Sequence, residues 1–258
     1  LKDAVSFMHS HPDAGALGVR MLGANGKPAP ESRRGLPSPM VAFYKMMGLC
    51  SRFPRHRSFG HYYMGYLPWD EPAPIEVVSG AFCMIRREAL LKVGLLDEDF
   101  FMYGEDIDLS YRILKGGYQN YYLPVDILHY KGESTQKSSF RYVHVFYEAM
   151  LIFFRKHYSG MSHLLSIPIK FAIYARASVA FTQMMTAKIR KSLGFFSPSH
   201  VDLSNQVLFD ADEMSYEEML HQLAQRSDEN IKLATYTKDI GKVITDREVM
   251  DKDEFGYL

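Results

Sequence analysis

Residues 97–112 read Asp97-Glu98-Asp99-Phe100-Phe101-Met102-Tyr103-Gly104-Glu105-Asp106-Ile107-Asp108-Leu109-Ser110-Tyr111-Arg112 and hold six carboxylates around an aromatic loop. From Glu105 the apolar positions recur at helical spacing, with Ile107, Tyr111 and Leu114 on one face, and Gly116-Gly117 ends the pattern. Gly104 supplies the backbone freedom for a tight turn just before it. Glu105 and Asp106 then fall in the first turn of a helix, where unpaired N–H groups and the helix dipole favour ionised carboxylates. That position suits an anionic general base. The same acids also fit a plainer role, as helix caps, with Asp108 pairing with Arg112 one turn on. The aromatic loop before them, and His129 at the end of a later strand where a metal ligand can be presented, favour a site over capping alone.

Outward from this stretch, residues 76–85 are apolar apart from Glu76 and Ser79 and predict a strand pair, or one strand interrupted at Ser79-Gly80. Residues 86–93 predict a helix closed by Gly94. Nearer the start, Leu1, Val5 and Met8 share a helical face, 16–21 reads as a short buried strand, Asn25-Gly26 as a turn, 27–39 as a proline-rich loop and 41–49 as a short helix. Residues 118–123 and 125–130 predict two strands flanking Pro124, and 142–158 a long aromatic helix. Beyond Gly160, Phe171, Tyr174, Phe181, Met185 and Ile189 share one helical face, opposite Arg176, Gln183, Arg190 and Lys191. Its uncharged runs fall short of the roughly 18–20 residues of a membrane span, so it reads as a helix lying on a membrane surface or packed on the core. In the tail, Ser215 and Glu218 have the spacing of a capping box for a helix carrying Met219, Leu220 and Leu223, and 231–236 alternates like a strand.

The chain has 258 residues, 47% of them apolar, which is the composition of an ordinary folded protein. Its 30 basic and 30 acidic side chains cancel, so charge makes no case for nucleic acid as a partner. The distribution is uneven. Residues 14–69 hold one acid, Glu31, against eight bases; 149–201 hold none against seven; and the tail after that is acidic. Cys50 and Cys83 are too few for a disulfide framework and lack Cys-x-x-Cys spacing, which fits a reducing, cytoplasmic setting. No signal-like stretch opens the chain, and the start at Leu1, inside an amphipathic pattern, reads as that of a fragment.

The run Val78-Ser79-Gly80-Ala81-Phe82-Cys83-Met84-Ile85-Arg86-Arg87-Glu88-Ala89-Leu90, then Gly94, Leu96-Asp97-Glu98-Asp99-Phe100-Phe101, Tyr103-Gly104-Glu105-Asp106-Ile107-Asp108-Leu109, Gly117-Tyr118 and His129 resembles the second half of family-2 glycosyltransferases with a GT-A fold, in particular the bacterial rhamnosyltransferase-like group. The stretch 12–21, Gly26, and Arg33-Arg34 before Pro37 is similar to that group as well, so the resemblance covers residues 1–158. It implies an α/β fold: the acceptor-side half of a GT-A-like mixed sheet with flanking helices over 1–158, then amphipathic helices over 159–198 and an acidic tail with a short helix and strands over 199–258.

The resemblance further implies an inverting hexosyltransferase-like enzyme of polysaccharide biosynthesis, moving a sugar from a nucleotide-sugar donor to a hydroxyl of a glycan or lipid-linked glycan. Asp106 is similar to the general base and Glu105 to its supporting acid; Gly80 and Ala81 resemble the acceptor wall, with Tyr103 and Asp108 as further acceptor contacts. His129 resembles the histidine that in some members completes a Mg²⁺ or Mn²⁺ site. A peripheral place on the inner face of the cytoplasmic membrane, against an anionic surface, fits such an acceptor. One departure is large. Asp-x-Asp occurs at Asp97, Asp106, Asp210 and Asp251, but never after an early apolar strand as the nucleotide-metal motif requires. The expectation is therefore that roughly a hundred residues of nucleotide-binding half precede Leu1, and that this stretch alone does not turn over. The alternatives are a non-catalytic module of the same fold that binds glycan or a partner, and metal-dependent hydrolysis, which lacks a second histidine at metal-ligand spacing.

Overall fold

In the computed structural model, strand β1 (Ala14–Leu22) is buried along nearly its whole length, in the interior of a four-stranded sheet. The structure describes residues 1–129, 140–158, 178, 182, 185–186, 206–229, 231–246 and 248–256. The strand order is β2 (Ala73–Ile75), β4 (Gln119–Leu128), β1, β3 (Met84–Ile85). The Gln119 N–H donates to Asp13 O and the His129 N–H to Leu22 O, so β1 and β4 run parallel; β2 and β3 pair antiparallel at the edges.

Alternate residues of the two inner strands serve opposite faces. Ala16 and Tyr122 meet Leu109 and Ile113 of α5 (Glu105–Lys115), while their neighbours Leu17 and Leu123 meet Ala4 and Met8 of α1 (Lys2–Ser10). The sheet is thus covered on both sides, the α/β arrangement that the sequence implied. Gly15 lets α5 approach: a β-carbon there would lie 2.4 Å from Ile113 Cγ2. On its other flank α5 is covered by α6 (Phe140–His157), whose Ala149, Met150, Phe153 and Phe154 pack on Val77, Phe100 and Ile107. The helix therefore buries two stripes. Ile107 and Tyr111 face α6, and Leu109 and Ile113, outside the expected apolar face, meet the sheet.

Two expected elements differ. Residues 119–128 form one strand through Pro124, not two around it; the pairing with β2 stops at Tyr122, before the proline would have to donate a ladder hydrogen bond. Between β2 and β3, the segment 76–83 is held by one isolated antiparallel bridge, Val77 to Arg34, and by side chains in place of a strand. The Val78 N–H donates to Ser110 Oγ, and Asn120 Nδ2 donates to Glu76 O (2.8 Å) and Ser110 O (3.0 Å), which satisfies the backbone without a ladder. Helix α4 (Arg87–Val93) ends at Gly94 as expected. Ahead of the sheet, α2 (Pro39–Met46) starts at Ser38, whose hydroxyl accepts from the Val41 N–H, and α3 (Leu49–Arg52) follows at once.

The basic stretch 14–69 divides in two. Arg33, 2% exposed, donates to Leu67 O and Pro68 O and stacks 3.5 Å over the Trp69 ring, and Arg34 is half-buried, whereas Arg52, Arg55 and Arg57 are exposed.

The chain divides into two compact units: Leu1–Val19, Pro30–Val125 and Thr135–Phe196 in the first, and Arg20–Ala29, Asp126–Ser134 and Ser197–Leu258 in the second. In the second, β5 (Gln206–Asp210) pairs parallel with β6 (Lys232–Thr237) across α7 (Tyr216–Gln225), and β7 (Lys242–Ile244) and β8 (Val249–Asp251) add antiparallel strands before α8 (Lys252–Gly256). Ser215 caps α7 from its hydroxyl to the Glu218 N–H, as its spacing suggested, and Met219 and Leu223 are buried with Phe209 and Leu233. The acidic tail is joined to the turn near the chain's start: the Leu233 N–H donates to Ala24 O, and Gly26, at φ +72°, lies so close to Leu223 that a β-carbon would fall 2.3 Å from its carbonyl oxygen. Most of the expected amphipathic helix 171–191 lies outside the described residues. Among those that are described, no helix is long and apolar enough to cross a membrane.

Candidate active site

The entry to α5 is made by two consecutive left-handed residues, Tyr103 at φ +65° and Gly104 at φ +87°. A tyrosine there is uncommon, and such angles persist only where the surroundings enforce them. Here the Tyr103 side chain is packed with Phe100, Ile107 and the α6 residues, and Gly104 has no room for a side chain, since a β-carbon would lie 3.0 Å from Phe100 Cδ1 and 3.1 Å from Ala149 Cβ. The turn places Glu105 and Asp106 in the first turn of the helix.

Asp106 keeps 16% of its side chain exposed and is held on three sides. Its Oδ2 pairs with Arg34 and accepts the Gly80 N–H at 3.2 Å, and its Oδ1 accepts the Ile107 N–H at 2.8 Å. Burial pulls the Arg34 guanidinium down, but Asp106, helped by Tyr62 and Glu31, outweighs it and holds Arg34 above its ordinary value. Glu105 lies alongside. A β-carbon on Gly80 would be 3.8 Å from both Asp106 Cβ and Glu105 Oε1, so the exposed Gly80-Ala81 turn rests on the two acids. Burial first, and the neighbouring Asp106 charge second, push the Glu105 carboxyl up, and its Oε2 is buried without a hydrogen-bond partner among the described residues. Burial, with the same charge, pushes the nearby Cys83 thiol up to about 12, which leaves it a neutral wall group.

Gly80, Ala81, Glu105 and Asp106 are thus brought together, with Tyr103 in the turn behind them. Asp108, two residues on, points into the protein. It is 1% exposed, and its carboxylate accepts Arg112 Nε at 2.7 Å and lies 2.6 Å from His157 Nε2. Arg112 also donates to Val93 O (2.7 Å) and Leu95 O (2.8 Å), tying α5 to the end of α4. Asp108 thus makes the ion pair with Arg112 that its spacing suggested, and His157 is a second partner. His129 follows directly on the last residue of β4, in the second unit, its N–H on Leu22 O. Among the described residues no three His, Cys, Asp or Glu side chains gather as a metal-binding group.

Sequence reasoning missed the Arg34 pairing, although an arginine pair between Glu31 and Pro37 was its visible signal. It also missed the brace beneath Arg34. Glu76 accepts the Leu36 N–H at 2.5 Å and lies 3.0 Å from His61 Nε2. The hydrogen bond that His61 donates to Glu76 raises the imidazole against burial. Glu76 itself, pushed up by burial, is drawn below its usual range by His61 and the Leu36 N–H.

Compared with known proteins, residues 43–215 match the model of glycosyl transferase family group 2. Two curated relatives, the N-acetylglucosaminyl-diphospho-decaprenol L-rhamnosyltransferases of Mycobacterium tuberculosis strains CDC 1551 / Oshkosh and ATCC 25618 / H37Rv, are each 28% identical over 183 residues, which is 70% of this chain and 57% of theirs. The chain therefore spans a little over half the length of these relatives. No solved structure matches. The matched residues run from α2 past α6 and take in the Gly80 turn, both acids and the buried Asp108–Arg112 pair; with more than half of its length matched, this chain belongs to glycosyl transferase family group 2.

Proposed function

We propose that the chain carries the acceptor side of an inverting glycosyltransferase, with Asp106 as the general base, acting on a nucleotide-sugar donor and a hydroxyl of a lipid-linked glycan. The observation that carries this is the partly exposed Asp106, fixed by Arg34 and two backbone N–H groups, beside Glu105 and the exposed Gly80-Ala81 turn. An isolated cap would need neither the buried guanidinium nor the neighbouring exposed turn.

In the proposed reaction the acceptor oxygen bonds to the anomeric carbon, the bond from that carbon to the phosphate oxygen breaks, and the nucleoside diphosphate leaves with the electron pair. The acceptor proton passes to Asp106, whose Oδ1 keeps a lone pair beyond the one used by Ile107, while Arg34 and Gly80 hold Oδ2. Arg34 acts as a positioning residue. Glu105, whose Oε1 lies beside the Gly80 turn, supports the acceptor side of the site. A divalent cation, when bound, would neutralise charge on the leaving diphosphate. The relatives' names mention a decaprenol diphosphate acceptor, which supports a lipid-linked glycan as substrate and a place at the inner membrane face.

The test is Asp106→Asn in the full-length gene product. Transfer should fall by about a hundredfold or more, with donor binding, measured by calorimetry, unchanged. Near-normal turnover in that variant would remove Asp106 as the base, and absence of any transfer by the unaltered protein would favour a non-catalytic glycan-binding module.

A further inference from the structure

Helix α2 is amphipathic the wrong way round for a core helix. Met40, Phe43 and Met47 recur at three- and four-residue spacing and so share one face, which a core helix would bury. Here those three residues and Phe53 are 44–60% exposed, and Val41 is the residue that packs inward. The exposed rings belong to one continuous cluster. Phe43 touches Tyr44 (6.1 Å between centroids), Tyr44 meets Phe59 edge-on (4.9 Å), Phe59 meets Phe53 (5.9 Å), and His56 stacks on Phe59 (4.4 Å). The same stretch carries Arg52, Arg55 and Arg57, all exposed, the last with its guanidinium 5.8 Å over the Tyr66 ring, and from Ser32 to Trp69 the chain has no acidic residue. Exposed apolar clusters of this kind mark interaction sites, and their surroundings identify the partner.

We infer that α2, α3 and the loop to Phe59 form a docking face for an anionic lipid bilayer, with Met40, Phe43, Met47 and Phe53 entering the headgroup boundary and Arg52, Arg55 and Arg57 pairing with lipid phosphates. The charge argues for this occupant. Three guanidiniums without a carboxylate among them suit a sheet of phosphates, and exposed Phe and Met in the same patch suit the acyl boundary that free phosphate lacks. A second copy of the chain would bring the same three arginines face to face. This deepens the membrane-face part of the proposed function and rests on it for its biological sense. It places the attachment at residues 39–59, in the unit that also carries Asp106, and not on the expected helix near residues 171–191.

The experiment is co-sedimentation of the full-length gene product, and of each variant made in it, with vesicles of phosphatidylglycerol and phosphatidylcholine, compared with phosphatidylcholine alone. Binding is expected to the anionic vesicles only, and to weaken at least about tenfold when salt rises from about 0.1 M to about 1 M, since the Debye length shrinks from about 10 Å to about 3 Å. R52E/R55E/R57E and, separately, F43S/F53S should each lower binding at least about tenfold, with circular dichroism and melting unchanged, while K188E/R190E/K191E should bind as the parent does. Equal binding to neutral vesicles, loss of binding only in K188E/R190E/K191E, or no vesicle binding together with a dimer abolished by F43S/F53S would each overturn the assignment. Asp106→Asn should bind vesicles normally, and the patch variants should keep transfer to a water-soluble acceptor. Failure of docking and failure of the catalytic reading therefore give different results.

Discussion

Asp108→Ala tests whether two acids on one helix turn have separate jobs. The Asp108 carboxylate is 1% exposed and meets Arg112 Nε at 2.7 Å and His157 Nε2 at 2.6 Å. Truncating it leaves a guanidinium and an imidazole facing a small cavity without their acceptor. Removing one partner of a buried pair costs about 3–5 kcal/mol, far above the 0–1 kcal/mol of a surface pair. Arg112 also holds the carbonyls of Val93, Gly94 and Leu95, so its release loosens the junction of α4 and α5 as well. For a unit of this size the melting transition should fall by about 6–20 °C, at about 2–4 °C per kcal/mol. Urea unfolding followed by circular dichroism gives the free energy directly. Arg112→Met alone should cost nearly as much, and the double variant scarcely more than the larger single change, because the two side chains form one unit. A loss below about 1 kcal/mol for Asp108→Ala, or additive single effects, would refute the structural role. A raised acceptor KM with unchanged stability would instead return Asp108 to the acceptor contacts expected from the sequence.

Two further outcomes follow from the same geometry. Gly104→Ala forces a β-carbon into the left-handed region, at about 1–2 kcal/mol, and onto Phe100 and Ala149, so the free energy of unfolding measured in urea should drop by at least that amount; an unchanged free energy would show the turn to be unstrained. For His61 and Glu76 the sign is fixed by opposite shifts. His61 is raised, so its contribution is full below about pH 6.5 and lost as pH rises through its folded value; Glu76 is lowered, so its contribution is present above about pH 4.3 and lost as pH falls further. The pair should therefore stabilise most between about pH 4.5 and 6.5, and His61→Gln should flatten the decline in stability above that window. A parent and variant with parallel pH profiles from 5 to 8 would contradict it.

Most of the helices and the turn at Gly104 were legible because their signals are local: an apolar repeat within one turn, a capping serine, a closing glycine. Where the fold departed from expectation, distant partners had intervened. Pro124 broke the strand pattern on paper, yet the strand continues because β2 ends before reaching it. Arg33 and Arg34 read as parts of one basic stretch, but Trp69 and two carbonyls bury the first while Asp106 takes the second.

By itself the sequence determined that a carboxylate-rich helix start follows an aromatic loop and that the chain resembles a glycosyltransferase family, a resemblance that led us to expect Gly80, Glu105 and Asp106 near one another. Only the tertiary structure decided which acid faces out. Residues 106 and 108 differ by about 200° around a helix, and both are aspartates, so their spacing alone assigns neither face. The assignment comes from α6, which brings His157 over Asp108, and from the loop that carries Arg34 to Asp106 across 72 residues of chain, contacts that no local pattern encodes.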